Sequence, residues 1–206
     1  MSFDEAQDPN HAAPFPSREL TDPRSLRAMA HPTRLDLLEL LAREGALTAT
    51  AAGAALGLSA ANCSYHLRQL AKYGFVEEVP GGGPGRNRPW RAVDLSHRWS
   101  ESSGSPATDQ AAQTLSQIVW ERVTLRLAEW LAHQDEEPAE WRDAAFGATS
   151  ILYLTPDELK QLGERVSELV LPLVGRISDR SARPAGSRAV SFIAAAHPIE
   201  PTPSER

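Results

Sequence analysis

The sequence predicts a mainly α-helical chain with one β-hairpin, followed by a long helix and a small α+β C-terminal region. Three observations carry that reading. Between Leu20 and Lys72, apolar residues recur at helical spacing, and most of these runs have a capping residue in front and a glycine behind. Two short β-prone runs, "FVEEVP" and "RPWRAV", flank the glycine-rich "GGGPGRN". From Ala111 to Gln134 a helical pattern continues without a breaker.

Taken in order, residues 1–17, "MSFDEAQDPNHAAPFPS", are acidic and proline-bearing, with no apolar run to pack, and read as a disordered tail. They lack the basic start and apolar stretch of a signal peptide. In "LTDPRSLRAMA", Thr21 or Asp22 caps a helix that Pro23 or the residue after it opens. "HPTRLDLLELLAREG" begins a second helix at Pro32. Leu35, Leu37, Leu38, Leu40 and Leu41 form its broad apolar face, Asp36, Glu39 and Arg43 point outward, and Gly45 ends it. "LTATAAGAALG" is a third helix capped by Thr48, with a packing face of Ala51, Ala52, Ala55 and Leu56, stopped by Gly57. Ser59 then caps a helix from Ala60 to about Lys72, which Gly74 stops. The two strands and their loop follow, and "SHRWSESSGSPATD" reads as linker.

The long helix carries Ala112, Leu115, Val119, Val123, Leu127 and Trp130 on one stripe. Ile118, Trp120, Leu125 and Leu131 lie beside it, and Arg122 and Arg126 interrupt it. A helix apolar on several sides needs several neighbours, a second subunit among them. In "LTPDELKQL", Thr155 and Glu158 make a capping box with Pro156 in the first turn. Leu159, Leu162, Val166, Leu169 and Leu173 are its expected buried face, and Pro172 is expected to limit its length. Weak strand signals flank that helix, at about 146–153 and 188–195. The resulting division is a tail at 1–17, a domain at 18–98, a linker at 99–110, a dimerisation and effector region at 111–200, and a loose end at 201–206.

The totals narrow the function. No run approaches about 18 apolar residues, so no transmembrane helix is expected. The single cysteine, Cys63, excludes an internal disulfide framework and fits a reducing cytoplasm. Net charge is −6, which alone argues against a nucleic-acid partner. Its distribution argues the other way. From Ser59 to Arg98 six cations face three anions, a net of +3, and the remaining residues carry −9.

On a wheel of about 100° per residue, Ala60–Lys72 splits into two flanks. Cys63, Leu67 and Leu70 fall together at i, i+4, i+7. Ala61, Tyr65, Arg68 and Lys72 fall opposite them, beside Asn62, Ser64 and Gln69. A helix entering a major groove needs that combination of short side chains for close approach and donors and acceptors for base edges. Gly53 lies four positions before the turn glycine Gly57, Leu56 and Leu58 bracket the turn, and Cys63 follows six positions after it. This is helix-turn-helix spacing. A plain helical hairpin would explain the apolar flank and Gly57. It would not explain a following hairpin whose tip holds Arg86, Asn87 and Arg88, suited to a backbone or a minor groove.

"LRAMAHPTRLDLLELLA", "LGLSAANCSYHLRQLAKYGFVEE" and "GRNRPWRAV" together resemble the ArsR-like winged helix-turn-helix transcriptional regulators, over about Leu20 to Val93. The resemblance implies a cytoplasmic, nucleoid-associated homodimer that binds a palindromic operator in double-stranded DNA. It implies a recognition helix over Ala60–Ala71 with Ala61, Asn62, Ser64, Tyr65 and Arg68 towards the bases, and wing arginines at Arg86 and Arg88. Ser59, Lys72 and Asn87 complete the expected DNA-binding set. His66 matches the family's histidine, and its place at the edge of the buried flank argues for packing.

Metal-sensing relatives carry paired cysteines on the helix before the turn, and here that helix has none. His133 and Glu136 supply one HxxE pair, short of the four ligands a closed zinc site needs. No metal site or cofactor is therefore expected. Trp90, Trp99, Trp120, Trp130 and Trp141 are candidates to line a small-molecule effector pocket, although bulky aromatics more often fill cores and interfaces. There is no nucleophile elbow, Walker loop or HExxH, so an enzyme is not expected. The rival reading is a winged-helix protein-interaction module without specific DNA binding.

Overall fold

The computed structural model describes residues 18–80, 88–94 and 96–199. The expected tails at 1–17 and 201–206, and the wing tip with Arg86 and Asn87, lie outside the described residues.

The order is β1 (Arg18–Glu19), α1 (Pro23–Met29), α2 (Pro32–Glu44), α3 (Ala49–Leu56), α4 (Ala60–Lys72), β2 (Val76–Glu78), β3 (Trp90–Ala92), β4 (His97–Arg98), α5 (Pro106–His133), α6 (Ala139–Ala144) and α7 (Pro156–Ser178). Short 3-10 turns follow α5 at Gln134–Glu136 and α7 at Arg180–Ala182.

Side-chain caps start α1, α3 and α4, and Pro32 opens α2. Asp22 is the cap of α1 and accepts from the Arg24 N–H at 3.0 Å. The hydroxyl of Thr48 accepts from the Ala51 N–H at 3.1 Å, and that of Ser59 from the Asn62 N–H at 3.2 Å. Each satisfies a backbone donor that the first helical turn leaves without a partner. Gly57 ends α3 in the left-handed region at φ 67°, which a side-chain-bearing residue adopts only under strain.

These helices enclose one core. Leu26, Leu37, Leu67, Leu70, Phe75 and Leu115 are fully buried in it, and each such side chain stabilises by roughly 1.5–3 kcal/mol. The packing face of α3 differs from the expected one. Ala49, Ala52 and Gly53 are buried, with Leu56 beside them, whereas Ala51 and Ala55 face outward. In a run of alanines the side chains offer too little contrast to set the phase of the helix.

The hairpin pairs Val76 with Ala92, Glu77 with Arg91 and Glu78 with Trp90, antiparallel. Leu47 adds a bridge to Trp90 through bonds of 2.9 and 2.7 Å. A second pairing has no local signal: β1 lies parallel to β4, with Arg18 opposite His97 and Glu19 opposite Arg98. It ties the start of the domain to the segment beyond the wing.

α5 begins at Pro106, inside the stretch expected as linker. Its first turns belong to the core, where Ala111, Ala112 and Leu115 are buried and the helix packs along α1. The Trp99 indole donates to the Ser116 hydroxyl at 2.8 Å. Arg122 and Arg126, which break the apolar pattern, reach the outward acids of α2. Arg122 pairs with Asp36, and also with Glu39 at 2.7 Å, while Arg126 meets Glu39 at 2.8 Å. Burial works to raise the Glu39 pKa, but the two guanidinium groups outweigh it and hold the carboxyl below the usual range.

Beyond α5 the expectations part from the structure. The strands expected at 146–153 and 188–195 do not form, and both stretches run extended and unpaired. The α+β C-terminal region is therefore helices joined by extended chain. The Thr155–Glu158 capping box is present, with reciprocal bonds of 3.3 and 2.8 Å. α7 does not stop at Pro172 but continues to Ser178. Its expected buried face is largely exposed in the single chain, Leu169 by 77% and Leu173 by 50%. Arg188 anchors the last extended stretch. It pairs with Glu137 at 2.7 Å and lies over the Trp141 ring, 5.0 Å from its centre.

Candidate nucleic-acid interface

The placement of α4 starts at Gly53. A Cβ at that position would stand 2.6 Å from the Leu58 carbonyl oxygen, so only glycine lets α3 approach the turn this closely. The Leu58 N–H donates to the Gly53 carbonyl at 2.9 Å and closes the turn. At its far end α4 is held by Arg18, whose guanidinium donates to the carbonyls of Tyr73 and Gly74, both at 2.9 Å. Arg18 also lies over the Phe75 ring, at 5.0 Å.

The two flanks of α4 are those of the wheel. Cys63, His66, Leu67 and Leu70 are buried. Burial pushes the Cys63 thiol pKa up, which suits a small apolar core group. Opposite, Ala61, Asn62, Tyr65, Arg68 and Lys72 are exposed and Ser64 is half-buried, with Tyr65 open by 55%. The Arg68 Nε–H donates to the Ser64 carbonyl at 3.0 Å, which lays the side chain along the helix and leaves its terminal nitrogens outward. The Lys72 ammonium sits 5.6 Å from the Tyr73 ring centre. Ser59 is exposed at the helix start, its oxygen engaged in the cap.

His66 packs rather than facing outward. Its ring lies 4.6 Å from that of His31 and 5.1 Å from that of Tyr65. Burial lowers its pKa first, and the nearby His31 and Arg34 lower it further. A neutral imidazole fits this place, because a second positive charge beside Arg34 would be repelled.

The wing's described part is less free than the helix. Arg88 meets Glu78 at 3.2 Å, and Arg91 meets Glu77 at 2.6 Å across the paired strands. Among the described residues, Arg68 and Lys72 have no carboxylate partner. The positive charge of the segment that no acid offsets therefore includes both cations of α4.

Three arginines join this side of the molecule that the sequence reading did not single out. Arg24 and Arg27 of α1 and Arg34 of α2 border a notch with Gln69 of α4 and Tyr73 just past its end. The signal was available: Arg24 and Arg27 are three apart on one helix face, and Arg34 sits in the "HPTR" start of α2.

The five tryptophans do not gather. Trp90 is in the core and Trp99 borders it, Trp120 is 48% exposed and Trp130 half-buried on α5, and Trp141 lies under Arg188. Among the described residues no helix is long and apolar enough to cross a membrane.

Comparison with known families bears on the same segment. A helix-turn-helix domain family matches residues 29–79, from the last residue of α1 to just past β2. No curated protein matches the chain. The chain is thus mainly helical, with a small antiparallel hairpin and a helix-turn-helix domain over residues 29–79, consistent with a winged helix.

Proposed function

We propose that the protein is a sequence-specific transcription regulator of the ArsR-like winged helix-turn-helix kind, acting in the cytoplasm as a homodimer on a palindromic operator. The observation that carries this is α4. Its buried flank is fixed in the core, and its other flank presents Asn62, Tyr65, Arg68 and Lys72 to solvent. On this reading Asn62, Ser64, Tyr65 and Arg68 meet base edges or nearby phosphates, with Ala61 allowing close approach. Ser59, Lys72 and the wing residues Arg86, Asn87 and Arg88 meet backbone or minor groove.

The homodimer is supported by what the single chain leaves uncovered. Among the described residues, no large apolar side chain past Leu115 is buried. Trp120, Leu125 and Leu131 on α5 and Leu169 and Leu173 on α7 are exposed. So are Ile151, Leu152 and Tyr153 in one extended stretch, and Val190, Phe192 and Ile193 in the other. Monomers rarely expose apolar patches beyond a few hundred Å². Two extended stretches with apolar side chains and no strand pairing are also places where a second chain can add a strand. A second copy offers both missing partners at once, strand for strand and face for face, over the roughly 800 Å² per subunit that a stable interface uses. The depression lined by Gln117, Trp120, Glu121, Thr124 and Leu125 is open, and suits another protein surface better than an enclosed effector.

Arg68→Ala is expected to cost about 1–3 kcal/mol of operator binding and to relax sequence preference at one position in each half-site. Titrations on duplexes mutated one base pair at a time check it. Unchanged affinity and preference would remove Arg68 from the interface. A protein-interaction module would instead show no steep loss of duplex affinity with rising salt.

A further inference from the structure

The notch between α1, α2 and the end of α4 has a composition that packing of the helices does not require. It measures about 250 Å³ and is lined by Arg24, Arg27, Ala28, Arg34, Gln69 and Tyr73. Three arginines line it, and no acidic residue does. Most other described arginines of the domain are paired, Arg18 with Asp94, Arg88 with Glu78, Arg91 with Glu77 and Arg98 with Glu19, and Arg68 on the proposed reading flank is the exception. Among the described residues, Arg24, Arg27 and Arg34 have no such partner. The nearest acid in sequence, Asp22, is engaged with the Arg24 N–H and the Ser25 hydroxyl at the start of α1.

Arg34 is the deepest of the three. One terminal nitrogen donates to the Arg27 carbonyl at 3.2 Å, and its buried Nε–H has no hydrogen-bond partner. Burial works against its charge, while Tyr65 and Tyr73 favour it. Gathering like charges around a part-buried guanidinium is unfavourable unless an anion joins them. The forked donors of arginine match the oxygens of a phosphate, and Gln69 and Tyr73 add further donors.

The notch also adjoins the proposed reading flank. Gln69 lies on one stripe of α4 with Asn62, Tyr65 and Lys72, at spacings of four, three or seven residues. We infer that Arg24, Arg27 and Arg34, with Gln69 and Tyr73, form a phosphate-binding notch that holds one backbone phosphate of the bound duplex beside the recognition helix. This rests on the DNA-binding reading above and extends it to α1 and α2. The held phosphate would set the rotation of α4 in the groove while carrying no base information.

The test uses the full chain and its Arg24→Gln/Arg27→Gln variant, titrated against a selected operator and a duplex of mixed sequence over a salt series. Both side chains are exposed, so the melting temperature is expected to stay unchanged, and it is measured alongside. The expected result is an equal fold-loss of affinity on both duplexes and a salt slope shallower by about 0.9 for one lost phosphate contact. An unchanged slope in the variant, with normal DNA binding by the unaltered chain, overturns the notch and leaves the DNA-binding reading standing. Failure of the unaltered chain to bind any duplex overturns both. Inorganic phosphate, titrated without DNA, separates the remaining source. If it saturates the notch and the variant loses that binding while the DNA slope is unchanged, the site takes a free anion and the duplex assignment is wrong.

Discussion

Replacing Leu152 and Phe192 together with glutamate is expected to leave the helix-turn-helix domain folded and to separate the proposed dimer. Both side chains are exposed in the single chain, by 60% and 52%, and neither belongs to the core around Leu67 and Phe75. Glutamate there costs a lone chain little, but it places unpaired charge in a covered interface. A dimer that grips two half-sites gains about 10²–10⁴ over one subunit through linkage. Operator affinity should fall by a factor in that range, and affinity for a single half-site should stay close to that of an isolated subunit. Sedimentation equilibrium gives the association state, and titration gives the affinity. A variant that remains dimeric with unchanged operator binding would place the interface elsewhere.

Phe75→Ala is expected to destabilise the domain by about 3–5 kcal/mol, the range for a buried phenylalanine reduced to alanine. The ring is fully buried, lies under Arg18 and has His97 5.2 Å away in an edge contact. The backbone of Phe75 joins α4 to the wing: its N–H donates to the Leu70 carbonyl at 3.1 Å, and its carbonyl accepts from the Val93 N–H at 3.0 Å. One residue thus supports the recognition helix, the hairpin and the β1–β4 pair. Typical domains have only about 5–15 kcal/mol of stability, so most of the reserve would go. Chemical denaturation of both chains measures the change. A loss under 1 kcal/mol would mean that the ring is far less confined than its burial implies.

The parts legible in the sequence are those set by neighbours in the chain. Asp22, Thr48 and Ser59 act within three residues of themselves, and Gly45, Gly57 and Gly74 each take the positive φ that ends a helix. The flanks of α4 were legible because leucine and cysteine alternate with polar groups at the helical period. α3 was misread in phase because alanine is nearly silent on which side faces in. The β1–β4 pair was missed because two residues paired across about eighty positions leave no local pattern. Arg122 and Arg126 read as interruptions until Asp36 and Glu39 stood opposite them.

The C-terminal half shows a different limit. Its apolar stripes and extended runs were visible, and they were assigned to strands and buried faces. In the single chain those surfaces stay open, and on the proposed reading a second copy covers them. The exposed flank of α4 was legible, because the spacing within one helix sets it. The arginine notch was not, since its members come from three helices and only the fold brings them together.

The most direct measurement of the central claim is a chemical footprint on duplexes selected by the purified protein. The account expects two protected half-sites centred about one helical turn, roughly 34 Å, apart, with protection of bases in the major groove. It also expects Tyr65→Ala and Arg68→Ala to weaken that protection. No protected site on any selected duplex, or full protection with both residues replaced, would contradict it.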